Sequence, residues 1–464
     1  MINLFFKELL FFKKSLYLSF FFLIFFFVPN FIELNMYDNL INIKLKFVIL
    51  FIFNILFTQK IFTIKNIAIH KKNSLTYIYL IFLIIYSSSA LYYFLIVDNN
   101  VFNKSFYYQD RFIFSFIYQF SLLNLMIYIV LNFNQDLFKL FNKVLFYFSF
   151  FIIIEFIIIK ILFFLNYNDL FFKINLYKIF LALNPIVYYD GFFTEGRIFR
   201  SLFINDHIIT SFILFMGFLS NLYIFEKSKQ IKFIFFGLMC LALSFYNFES
   251  RLTILTNLIM LLILIFWIFI SKLKLSHLLF CLIIGYYVSI LFIKIVCSEI
   301  TLDPSSLKSI CKLDSLYDRF SLALFSLTTW LSNPITFGLD MLNNFYTLNN
   351  HDLFLNNSYT TGDSYVTVTS LRGGKYASWH GGFITYPHNF FISMLGSLGL
   401  IFPLLLYLFF KKINFKASNL NQKYIFILLV YAILNSLINK IFFIEFYIFL
   451  LSILLFLSKN DIKE

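Results

Sequence analysis

Apolar runs separated by short polar stretches, most of them marked by lysine, recur along the whole chain. A helix needs about 20 consecutive apolar residues to cross the hydrocarbon core of a bilayer. By that length the pattern predicts about 12 spans, over 15–34, 47–64, 76–97, 112–133, 144–165, 206–225, 233–249, 252–270, 276–296, 388–410, 424–439 and 441–457. The seventh is short, and the last two are joined tightly. The implied fold class is all-α: a polytopic integral membrane bundle, 1–464, with no internal repeat.

Two polar segments interrupt this pattern. The segment 166–205 contains FFKINLYKIFLAL, which fits an amphipathic helix lying at the membrane interface. The segment 297–387 is the only one large enough to form a small subdomain. Within it, Ser315-Leu-Tyr-Asp318 resembles a capping box opening a helix that runs to about Leu331, and Asn333-Pro334 stops it.

Lysines mark the cytoplasmic loops of membrane proteins. Lys71/Lys72, Lys139/Lys143, Lys227/Lys229/Lys232, Lys272/Lys274 and Lys411/Lys412/Lys416/Lys423 fall on alternate loops, on the same side as Lys7, Lys13 and Lys14. Lys44 and Lys46 run against the rule. The alternation predicts both termini in the cytoplasm, an uncleaved first span at Ser15–Leu34, and 98–111, 166–205 and 297–387 on the outer side.

Composition agrees with this class. The chain is 61% hydrophobic and 13% charged, where a soluble protein carries about 25% charged residues. Its net charge of +14 comes largely from loop lysines, and without a basic arm or an aromatic RNA-binding motif it does not indicate nucleic acid. Cys240 and Cys281 fall inside spans and read as packing residues. Cys297 and Cys311 are both outer, where an oxidising compartment permits a disulfide, with two unpaired thiols as the alternative.

The candidate chemistry lies on the outer side. All six arginines, Arg111, Arg197, Arg200, Arg251, Arg319 and Arg372, are predicted there, against the positive-inside tendency. Guanidinium groups grip phosphate or carboxylate through a planar fork. The plainer alternative is pairing with Asp110, Glu195, Asp206, Glu249 or Asp318. Glu155 and Glu445 lie inside spans, each with a lysine nearby for pairing, Lys160 and Lys440. Of the four outer histidines, His207, His351, His380 and His388, the last stands at the mouth of a span after Pro387, where an imidazole suits general-base work. Tyr376, Trp379, Phe383 and Tyr386 precede it, and aromatic rings of this kind stack on sugar faces. The pairs Gly373-Gly374 and Gly381-Gly382 suit a gating loop. No metal-binding spacing, P-loop or dinucleotide motif is present.

Four pieces of sequence, in order, resemble the O-antigen polymerase (Wzy-type) and O-antigen ligase superfamily. They are Gly196-Arg-Ile-Phe-Arg200-Ser-Leu-Phe-Ile-Asn205-Asp206; Ser250-Arg251; Arg319 followed by Trp330 and Asn333-Pro334-Ile-Thr-Phe-Gly338; and His388-Asn389, with Gly399 after nine intervening residues. The resemblance covers roughly 190–410. Phe402 stands where a second glycine is expected, and the polymerase-associated R-x15-G pattern does not fit Arg200, Arg319 or Arg372.

The resemblance implies a GT-C-like bundle with short helices in its large periplasmic loop, facing the periplasm from the bacterial inner membrane. It implies a metal-independent and cofactor-independent glycosyltransferase. The donor would be a glycan on undecaprenyl pyrophosphate, with membrane lipid and a chain-length regulator protein as further partners. Transfer to a second lipid-linked repeat unit would make the chain a polymerase, and transfer to lipid A-core a ligase. Catalytic roles would fall to His388, Arg200, Arg251 and Arg319, and substrate binding to Arg197, Arg372, Glu195, Asp206, Trp379 and Tyr386. A flippase, the non-enzymatic alternative, predicts charges along several mid-spans and repeat symmetry.

Reporter fusions at Asn350 and Lys416 are expected to report opposite compartments, with Asn350 outside. Cytoplasmic activity from the Asn350 fusion would remove the basis for every candidate site residue above.

Overall fold

The computed structural model describes residues 33–36, 41–44, 48–53, 55, 84, 135–164, 201, 207–246, 251–299, 331, 389, 391, 392, 395, 399–412, 416, 417 and 419–438. The elements are β1 (Glu33–Met36), β2 (Ile41–Lys44), α1 (Gln135–Phe164), α2 (His207–Ser228), α3 (Lys232–Tyr246), α4 (Arg251–Ile265), α5 (Trp267–Ile270), α6 (Leu275–Glu299), α7 (Ile401–Lys412) and α8 (Leu420–Ile438). The predicted spans 112–133 and 441–457, nearly all of 15–34 and 76–97, and the Cys297–Cys311 pairing lie outside the described residues.

Three of these helices are long and apolar enough to cross a membrane: Phe138–Ile158 within α1, Ile208–Ser228 within α2 and Leu420–Leu437 within α8. A 21-residue helix is about 30 Å long, the thickness of the hydrocarbon core. Shorter apolar helices run over Lys232–Tyr246, Thr253–Ile265 and Leu275–Val288.

Helices α2 and α8 form the interior. Residues 210–221 of α2 and 424–437 of α8 are buried on every side, as expected for helices that are apolar all round. Helix α2 packs most extensively against α3 and α1. Between helices in lipid, apolar burial supplies little driving force, so close approach and polar contacts decide the packing. Gly217 provides the closest approach. A Cβ built there would collide with Cβ and Oγ of Ser149 on α1, so the α1–α2 distance depends on glycine. Aromatic edges fill the α1–α3 seam: Phe146 meets Phe233 and Phe236 at 5.4 and 6.0 Å, and Phe150 meets Phe236 at 5.1 Å. The opposite helix faces are apolar and exposed. On α4 these are Leu255, Leu258, Leu262 and Ile265, a helical stripe suited to hydrocarbon.

Local signals explain the helix ends. Helix α2 stops at Lys229, whose φ is 58° and whose N–H reaches the Phe225 carbonyl at 2.7 Å. This is the left-handed cap position usually given to glycine, and the turn brings α3 back at Lys232. Helix α8 starts where Asn419 Oδ1 accepts the Gln422 N–H at 2.9 Å, an N-cap five residues before the predicted span.

Four expectations need correction. The span predicted over 388–410 is interrupted. Phe391, Ile392 and Leu395 are helical, but Gly399 turns with φ 55°. Its N–H closes on the Leu395 carbonyl at 2.8 Å, and α7 begins anew at Ile401. Left-handed geometry is cheap only for glycine, so this position ends a helix that hydrophobicity alone reads as continuous. The span 252–270 is divided at Phe266 into α4 and α5. Cys281, read as a packing residue, is exposed, whereas Cys240 is buried. The last two residues of the span 15–34 belong to β1, which pairs antiparallel with β2 and sets Glu33 in register with Lys44. ELNM and INIK alternate polar and apolar residues, the two-residue period of a strand. This hairpin is the only sheet among the described residues; the bundle itself is helical.

Gly217→Ala is expected to cost about 1–3 kcal/mol by overpacking the α1–α2 contact, measured as a lower thermal unfolding midpoint of the purified protein in detergent. Adding Ser149→Gly should recover most of the loss; no recovery would place the clash elsewhere.

Candidate functional site

The helix directions define two ends. Phe138 meets Tyr223 at 5.1 Å and Phe156 meets Tyr246 at 5.1 Å, so α1 runs against α2 and along α3. Trp267 meets Phe426 at 5.4 Å, and Asn257 bonds Tyr431, so α4 runs against α8. One end carries the lysines. There Lys423 Nζ pairs with Glu226 Oε1 at 2.7 Å, Tyr424 donates to the same oxygen at 2.8 Å, and Tyr223 donates to Asn421 Oδ1 at 2.9 Å. Lys423 also lies 6.0 Å from the centre of the Trp267 ring.

The opposite end is held by hydrogen bonds. Glu155, in the C-terminal half of α1, is buried with 8% of its surface exposed. Its Oε2 accepts the hydroxyl of Ser201 at 2.8 Å, and the Ser201 N–H donates to Thr210 Oγ1 at 3.2 Å. The residue after Arg200 is thus fixed between α1 and the first turn of α2. Asn389, the residue after His388, is buried as well. Its Oδ1 caps the following turn by accepting the Ile392 N–H at 3.0 Å, and its Nδ2 donates to the Leu437 carbonyl near the end of α8 at 2.9 Å.

A second polar cluster lies one to two turns deeper. Ser211 donates to the Ser244 carbonyl, Asn257 Nδ2 approaches the Ser244 carbonyl and hydroxyl, each at 3.5 Å, and Tyr431 donates to Asn257 Oδ1 at 2.7 Å. All four residues are buried. The Tyr431 ring stacks on Phe212 with centres 4.9 Å apart and planes 7° apart. One turn back toward Leu437, Asn435 Nδ2 donates to the Tyr431 carbonyl at 2.9 Å, while its fully buried Oδ1 has no partner. Buried polar groups in an apolar interior are costly unless bonded, so such a cluster fixes one arrangement of α2, α3, α4 and α8.

Of the sequence-predicted site residues, Arg251 is described, as the first residue of α4. His388, Arg200, Arg319, Arg197, Arg372, Glu195, Asp206, Trp379 and Tyr386 lie outside the described residues. What the structure brings together are neighbours of these positions: Ser201, Asn389 and the α4 start all belong to the end away from Glu226 and Lys423. Sequence reading passed over Ser201, Thr210, Ser211, Ser244, Asn257 and Tyr431. Their signal was present as polar residues inside apolar runs. Among the described residues no group of three or more His, Cys, Asp or Glu is arranged to hold a metal ion. The carboxylate, amides and hydroxyls found here can accept and donate hydrogen bonds and so orient a backbone or a polar ligand. Comparison with protein-family models, curated proteins and solved structures finds no match to this chain.

Asn389→Ala is expected to lower stability by about 0.5–2 kcal/mol through loss of the cap, measured by thermal unfolding. Asn389→Asp keeps the acceptor for the Ile392 N–H and loses only the donor to Leu437. An Asp variant as unstable as the Ala variant would show that the bond to α8 carries the effect.

Proposed function

We propose that this chain is an O-antigen polymerase, or a polymerase of a related surface polysaccharide. It transfers a growing glycan from undecaprenyl pyrophosphate to a lipid-linked repeat unit at the periplasmic face of the inner membrane. The observation that carries this reading is the anchoring of two motif residues, Ser201 and Asn389, at the bundle end where α4 begins with Arg251. Separate stretches of sequence that resemble one family's motifs are tied to the same end of a membrane bundle.

In this reading, the acceptor hydroxyl attacks the anomeric carbon of the donor. A carbon–oxygen bond forms there as the bond to pyrophosphate breaks, and the lipid pyrophosphate leaves with the bonding pair. Arg200, Arg251 and Arg319 meet the charge on the leaving group, where fixed cations in a dehydrated site act most strongly. His388 takes the hydroxyl proton. This requires the neutral imidazole, the form that accepts a proton. Arg197, Arg372, Glu195 and Asp206 bind the polar parts of the two substrates, and Trp379 and Tyr386 stack on sugar faces.

One observation favours a second reading. His388-Asn389 with Gly399 follows the ligase-type H-N-x9-G pattern, and Gly399 adopts the backbone geometry that only glycine takes readily. A ligase would use the same donor and leaving group and deliver the glycan to lipid A-core.

A deletion strain examined on a lipopolysaccharide gel separates the two. A polymerase deletion leaves core bearing a single repeat unit, a ligase deletion leaves bare core, and an unchanged ladder would refute both. In the complemented strain, His388→Ala is expected to reduce transfer by about 10²–10⁴-fold at normal protein level. His388→Gln should fail equally if a base is needed, and an active Gln variant would demote His388 to positioning. Arg200→Ala, Arg251→Ala and Arg319→Ala should each cost about 10²–10³-fold, with poor rescue by lysine. Full ladders from all three would make the arginines structural.

A further inference from the structure

We infer that Tyr431 and Asn257 are positioning residues that hold the start of α4, with Arg251, level with the segment that carries His388; this rests on the functional reading above. The geometry is a ladder with two rails. Helix α4 and helix α8 run in opposite directions and are joined by the Tyr431–Asn257 hydrogen bond of 2.7 Å. Six residues on from Tyr431 is Leu437, whose carbonyl holds Asn389 at 2.9 Å. Six residues back from Asn257 is Arg251. Six residues of helix rise about 9 Å. Because the helices are antiparallel, both steps lead toward the same end, by equal amounts. Arg251 and the anchor of Asn389 therefore stand at one height above a single buried hydrogen bond.

The rung is braced from the other side. Ser244 on α3 receives both the Ser211 hydroxyl and the Asn257 amide, and the Tyr431 ring lies on Phe212 of α2. Tyr431 and Asn257 are both fully enclosed, so no water competes for the bond. Removing it leaves the Asn257 oxygen buried without its donor and frees α4 to slide or rotate against α8. A slip of about 1 Å between a charge-stabilising group and a proton acceptor costs on the order of 10²-fold in rate. Neither residue need touch the substrate.

The test uses the full-length protein in nanodiscs, supplied with lipid-linked repeat units isolated from a strain lacking this gene. Tyr431→Phe, which removes only the hydroxyl and keeps the ring on Phe212, should lower kcat about 10- to 100-fold and leave KM nearly unchanged. Asn257→Leu should do the same. The double variant should be no slower than the slower single variant, because both substitutions break one bond. Losses that multiply, a full kcat in Tyr431→Phe, or a kcat loss that follows the unfolded fraction in a parallel thermal melt would each overturn the positioning role. Arg251→Ala is measured alongside. If it is inactive while Tyr431→Phe is normal, only the positioning role fails. If Arg251→Ala is fully active, the functional reading of the arginine falls and this inference falls with it.

Discussion

The ring of Tyr431 lies flat on Phe212, and its hydroxyl reaches Asn257 on α4. One side chain thereby joins three helices in a place where water is absent. In lipid this matters more than the apolar area around it. A leucine face gains little by leaving hydrocarbon for another leucine face, whereas an amide or hydroxyl has few alternatives to the partner it finds. The many phenylalanines fill space and shape the seams between helices. The sparse amides and hydroxyls select which seam is formed.

That division of labour differs along the bundle. At the lysine end, an ion pair and two tyrosine hydroxyls close α2 onto α8, with Glu226 and Lys423 about a third and a quarter exposed (33% and 23%). A partly exposed pair of this kind adds only modestly to stability, but it fixes the register between the end of α2 and the start of α8. At the other end the bonded groups, Ser201, Glu155 and Asn389, are buried. The motif-like stretches adjoin this end of the bundle, and such stretches gain precision only by being tied to rigid elements. Ser201 and Asn389 are those ties. Each sits directly after a candidate site residue, Arg200 or His388, and each bonds to a helix distant in sequence, Glu155 of α1 and Leu437 of α8.

Much of the helical pattern was legible. The run 206–225 became α2 at His207–Ser228, and 276–296 became α6 at Leu275–Glu299, because apolar length is a signal that tertiary context does not alter. Helix breaks were not legible from that signal. Phe266 and Gly399 stand in uninterrupted apolar runs, and hydropathy does not register backbone torsion. Gly399 was noticed as part of a motif rather than as a turn, although its freedom at positive φ explains why glycine is there. The hairpin at 33–44 was missed because a count of apolar residues has no term for a period of two. Of the candidate site, the sequence pointed to the arginines and to His388 by charge and position. It could not show the anchors. Asn257, Ser244 and Tyr431 are scattered over three helices, and nothing in their spacing says that they meet.

A site assembled from several helix ends has a consequence for how its parts must be held. In the proposed transfer, charge stabilisation acts on the donor's leaving pyrophosphate and proton removal on the acceptor hydroxyl in one step, so the groups responsible must be fixed relative to each other rather than each to its own loop. A soluble enzyme achieves this with a sheet or a packed core beneath the site. In this bundle the corresponding layer is a set of buried side-chain hydrogen bonds one to two turns in from the end that holds Ser201 and Asn389. Helix α8 presents two of its members six residues apart, Tyr431 to α4 and the Leu437 carbonyl to Asn389. Its surroundings enclose it from Tyr424 to Leu437, so it has little room to bend or rotate. A rigid central helix that touches both arms of a candidate site transmits their relative position without entering the chemistry. A helix with no charged residue beyond Lys423 can in this way fix the relative position of the groups at that end.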